Sequence, residues 1–231
     1  MKRFWTVSEV AALDGKYGIS LDGRPVKQAD GAVLHVPFAA LAEGIAREWA
    51  EAAPEFTLED FPLTRLAATA QARVAPVRGA IIRQLAEYGM NDLLCYRSAA
   101  PPELVALEAE QWDPWLRWAE CELGVALRCT AGILPIEQPG ECRAVFTARL
   151  EEMSVYQLAG LGVIIPALGS LVLGLAVEAG ALAAEAACGC ANLGAIWQES
   201  RWGVDEDAAA GRARLVDDVS ASTRFMALCR T

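Results

Sequence analysis

Hydrophobic positions along this chain change their period as it proceeds, and the change predicts the architecture. In "YGISLDGRPVK" Tyr17, Ile19 and Leu21 alternate with small or polar residues, the spacing of a half-buried strand. Asp22-Gly23 comes next, the dipeptide preferred in a tight hairpin turn. "AVLHVP" reads as another short strand ended by Pro37. Phe38, Leu41, Ile45 and Trp49 then recur at helical spacing, with Glu43, Arg47, Glu48 and Glu51 opposite. From about Val77 the pattern is helical. Ile81, Leu85, Tyr88 and Leu93 suggest one helix, "PPELVALEAEQWDPWLRWAECELG" a second broken by Pro114, and "ECRAVFTARLEEMS" a third. Leu158–Val177 is uncharged throughout and predicts two short buried helices meeting near Pro166. One more helix through "GALAAEAACGCANLGAIWQ" comes next. The last starts near Asp207, with Leu215, Val219 and Met226 on one face. The fold class expected is α+β: a small α/β domain with antiparallel strands over residues 1–76, then an all-helical domain over 77–231.

The uncharged run is long enough to span a bilayer. Pro166 and four glycines interrupt it, no Lys or Arg lies between Arg149 and Arg201, and its near flanks are Glu151, Glu152 and Glu178. Lacking a positive-inside signal, it reads as buried core in a soluble chain, and no membrane span is expected. "MKRFWTVSEV" carries no leader pattern.

Charge sharpens the picture. The formal net charge is −10, unevenly placed: 12 acids and 11 bases in residues 1–97, 16 and 5 in 98–210, 2 and 4 in 211–231. An acidic second half repels phosphate backbones, so no nucleic-acid partner is expected.

Candidate chemistry is sparse. His35 is the one histidine and reads as structural. No nucleophile elbow, P-loop or dinucleotide fingerprint occurs. Seven cysteines form no disulfide framework. Cys188 and Cys190 would project about 200° apart on a helix, a poor geometry for a chelate, so neither metal nor cofactor is expected. Trp112, Trp115 and Trp118 form a stripe that could be core or interface. In "WQESRWGVDED", Gly203 should end a helix in a left-handed turn, Trp197 should anchor that helix in the core, and Trp202 should help hold the turn. Asp205, Glu206 and Asp207 then favour the positive start of the next helix.

In order along the chain stand "RFW", "LDGRPVK", "VPFAALAEGIAREW", "FPLTRLA", "DLLCYR", "QWDPWLRWA", "GSLVLGLA" and "WQESRWG". Together they resemble the assembly chaperone family of the F1-ATPase alpha subunit, found in mitochondria and alphaproteobacteria. The resemblance runs from Arg3 to about Phe225. It implies two domains, no catalytic site, and binding of newly made alpha subunit so that its beta-facing surface is hidden. The oligomeric state is left open, with a monomer expected. The compartment implied is a bacterial cytoplasm or, for a processed form, the mitochondrial matrix. An acid soon after the Trp-Gly pair matters in the family; Glu206 matches best here, with Asp205 and Asp207 beside it. Acids usual upstream are replaced by Gly194, Ala195 and Ser200, leaving Glu199 as the neighbouring candidate. The alternatives are an enzyme using Cys188 and Cys190 as thiols or metal ligands, and a membrane-associated assembly factor using Leu158–Val177.

Overall fold

The computed structural model describes residues 1–13, 15–131 and 135–230. Strands β1 (Ser8–Leu13), β2 (Lys16–Leu21), β3 (Arg24–Pro25) and β4 (His35–Val36) come first, then helices α1 (Ala39–Ala50) and α2 (Pro62–Thr69). Helix α3 (Arg78–Met90), β5 (Tyr96–Arg97), α4 (Pro102–Leu123), β6 (Thr130–Ala131) and α5 (Gly140–Glu151) lead to α6 (Val155–Leu168) and α7 (Leu171–Glu178). Three helices complete the chain: α8 (Ala184–Ala191), α9 (Leu193–Trp202) and α10 (Glu206–Ala227). The α+β class is as expected. Two compact units are present, one of Met1–Val77 with Val155–Gly160 and Ala221–Thr231, the other of Arg78–Ser154 with Leu161–Ser220.

In the first unit β2 is central, antiparallel to β1, β3 and β4. The hairpin predicted at Asp22-Gly23 forms, with φ of 48° and 79°, the pair of positive angles that suits the strands' twist. The carboxylate of Asp22 also accepts the amides of Thr6 and Val7. Helix α1 packs its Leu41–Ile45–Trp49 face inward. Trp49 stacks on Phe61 at 4.4 Å and meets Trp5 edge-on at 5.0 Å. Both indole N–H groups are bonded, Trp5 to the Trp49 carbonyl and Trp49 to Thr64 Oγ1. Such pairing lets large rings be buried without an orphan donor. Glu48 departs from its expected place on the solvent face. Its carboxylate accepts Leu63 N at 2.7 Å and Thr64 N at 3.0 Å, capping α2. Burial pushes its pKa up, against the pull of those bonds. Later segments close this unit: Tyr156 meets Phe38 and Phe225, and Gly44 leaves room for Leu228.

Among its described residues the second unit is helical apart from the two-stranded parallel pair β5–β6, an addition to the all-helical expectation. Every residue of α7 is buried, as an all-round apolar helix must be. Neighbours come close where side chains vanish: a Cβ on Gly89 would run into the Phe146 ring, and one on Gly174 would lie 2.5 Å from Ile165.

Three expected boundaries are corrected. Helix α4 runs unbroken through Pro114. Proline removes one backbone bond and crowds the preceding turn, but Pro114 and Glu110 face solvent, where water can take the freed carbonyl. Pro166 likewise lies within α6, with Gly162 and Pro166 exposed. The apolar run breaks instead at Gly169, whose φ is +63°, and Ser170 caps α7 by accepting Leu173 N at 3.0 Å. The helix expected across residues 180–198 is two, α8 and α9, parted at Asn192, whose side-chain amide donates to the Cys188 carbonyl. Among the described residues no helix is long and apolar enough to cross a membrane.

Candidate functional site

The edge between α9 and α10 is built by helix-end chemistry. Gly203 ends α9 with φ +100° and ψ 158°, and its amide donates to the Glu199 carbonyl at 2.9 Å. This is an extended conformation of positive φ, open to glycine, rather than the left-handed turn expected. Two residues on, Asp205 caps α10: its Oδ1 accepts Asp207 N at 3.0 Å and Ala208 N at 3.1 Å. Glu206 and Asp207 fill the first turn of α10, where negative charge suits the helix dipole. All three acidic residues are exposed.

The tryptophans depart from their expected roles. Trp197, expected to anchor its helix in a core, is only half-buried, and Trp202, expected to help hold the turn, is 75% exposed. Their rings meet edge to face at 6.1 Å, and the Arg201 guanidinium lies 5.2 Å from the Trp197 centroid. Val204 (68% exposed) and Ile196 (45%) belong to the same stretch of chain. The result is an apolar edge set beside three acids. Glu199 plays a different part: its carboxylate meets Arg212 at 2.5 Å, tying α9 to α10.

Trp112 is buried, donates to the Cys190 carbonyl at 2.9 Å and carries Arg97 5.2 Å from its ring centroid. Trp115 and Trp118 are half-buried, and Trp118 lines a groove with Leu123, Val145 and Arg149. Cys188 and Cys190 are buried. Burial raises both thiols, Cys188 to about 11, which keeps them protonated and weakly nucleophilic at neutral pH. Among the described residues no three His, Cys, Asp or Glu side chains are grouped to hold a metal. His35 pairs with Gly18 in the sheet.

An exposed aromatic and aliphatic edge flanked by carboxylates, carried on a helical scaffold, has the make-up of a protein-docking surface. Residues 2–120 match the model of the ATP12 chaperone protein family, and the chain belongs to that family. It is thus a chaperone of ATP synthase assembly, as the ordered motifs led us to expect. A curated relative, mitochondrial protein atp12 of Schizosaccharomyces pombe, is 28% identical over 220 residues, covering 90% of this chain and 75% of that protein. The crystal structure of Atp12 from Paracoccus denitrificans is 36% identical, with TM-score 0.95 over 99% of this chain and 98% of that one. A putative chaperone of Agrobacterium tumefaciens is 32% identical, with TM-score 0.96 over 99% of this chain and 86% of that one.

Proposed function

We propose that the chain binds the free alpha subunit of F1-ATPase and covers the surface that later meets beta. It acts by binding alone, without cofactor or catalysis, as a monomer in a bacterial cytoplasm or a mitochondrial matrix. A subunit awaiting its partner exposes an apolar interface, and such patches aggregate. A chaperone for it must offer apolar surface of its own and still release.

The observation that carries this reading is the α9–α10 edge, where Trp202 and Val204 stand in solvent next to Asp205, Glu206 and Asp207. Trp is among the residue types most enriched in binding hot spots. Carboxylates around it favour a partner patch bearing Lys or Arg and speed its approach. Glu206 is assigned the leading contact, because Asp205 already spends an oxygen on the cap. Glu199 supports the edge through Arg212.

The test is co-expression with alpha and beta subunits separately, then pull-down. Capture and solubilisation of alpha but not beta is expected. Insoluble, uncaptured alpha at micromolar chaperone would overturn the reading.

A further inference from the structure

A second concavity lies beside this edge, between α8, α9 and α10. Cys188, Gly189, Ile196, Ala213 and Val216 line it, with Glu185 among them, and its volume is about 250 Å³. A dry cavity of about 150 Å³ already takes up benzene, so one large apolar side chain fits. Helix α9 joins the two features, with Ile196 in the groove and Trp202 at the edge.

Two observations bear on the occupant. Gly189 is interior to α8, where glycine weakens a helix, yet a Cβ there would meet nothing within 4 Å. Packing within the chain therefore does not demand glycine, whereas a partner group coming close to the helix backbone would. The second is charge. Arg212, the groove's cation, is neutralised by Glu199 at 2.5 Å. Glu185 is exposed and makes no ion pair among the described residues. With Arg212 neutralised and Glu185 unpaired, the groove favours a cationic neighbour on the partner.

We propose that this groove is the socket for one large apolar side chain of the alpha subunit, flanked there by a Lys or Arg that meets Glu185. The inference rests on the proposed function, and one experiment separates the two. Alpha-subunit capture is measured with wild type, Gly189→Ala, Gly189→Leu and Glu185→Lys, each checked for a cooperative thermal melt. In Gly189→Leu the new side chain starts in open space at the groove's wall, where it competes with an incoming group. Capture by wild type, a smaller loss for Gly189→Ala, and a loss of about tenfold or more for Gly189→Leu and Glu185→Lys is the expected result. Should Gly189→Leu not fold, the exposed Glu185→Lys decides alone. Capture by the folded variants within about twofold of wild type overturns the socket and leaves the function standing. No capture by wild type overturns both.

Discussion

The carboxylate of Asp92 and the amide of Val172 lie 3.0 Å apart, joining the turn after α3 to the first turn of α7. Asp92 is fully buried and also accepts Leu94 N, Leu171 N and the Ser170 hydroxyl. Burial raises its pKa from 3.8 to about 6, more than those bonds lower it. A carboxyl that holds its proton more tightly when folded stabilises the fold as pH falls. Between pH about 6 and 4 the folded chain carries a proton that the unfolded chain has released, so this group's contribution declines as pH rises through 6. The difference is about 3 kcal/mol. Urea unfolding from pH 7 to 5 should show this upward trend toward acid in wild type and a flatter one in Asp92→Asn. Equal slopes would clear Asp92 of the effect.

One substitution should have opposite signs at two glycines. A Cβ on Gly89 would strike Phe146 and Leu171. Gly89→Ala should therefore lose about 1–3 kcal/mol through overpacking. Gly189→Ala meets open space and should gain up to about 1 kcal/mol from helix propensity. Denaturant midpoints of the two variants must move in opposite directions.

Capping and docking can be separated at the α9–α10 edge. Asp205→Ala removes the cap of α10 and should cost about 1 kcal/mol. Glu206→Lys and Trp202→Ala alter exposed side chains and should leave the melting temperature within a few degrees. Both should weaken alpha capture. Undiminished capture by either removes that residue from the docking surface.

Thiol reactivity should sort by burial. Cys121 and Cys129 are exposed and should alkylate first with iodoacetamide at a pH of about 8, near the ordinary thiol pKa. Cys188, raised to about 11, and Cys229, raised to about 12, should react only on unfolding. Fast modification of Cys188 in the folded chain would reopen a thiol chemistry for it.

Legibility in the sequence depended on how local each determinant is. The Asp22-Gly23 hairpin needs only two residues able to take positive φ, and it could be read directly. The helix boundaries turned on surroundings. Pro114 and Pro166 carry the intrinsic cost of a helix proline, but their solvent-facing positions let water take up the freed carbonyls. Gly169 broke the apolar run because Ser170 stood ready to cap α7. At the edge, the acids after Trp202-Gly203 were legible through the ordered family motifs. The exposure of Trp202 was not, because no local rule says whether an indole at a helix end meets a core or water. Nor was the pairing of Glu199 with Arg212, a contact made only once two helices have folded together.

The first unit draws on segments far apart along the chain, since Tyr156, Phe225, Met226 and Leu228 are part of its packing. Biosynthesis runs from one end to the other. The hairpin and α1 emerge early, yet their core lacks its closing side chains until Leu228 has been translated. Readiness is therefore deferred: the ribosome must deliver the chain through Leu228 before its opening segment can settle, and a chain cut before Ala221 would leave that segment in need of protection itself.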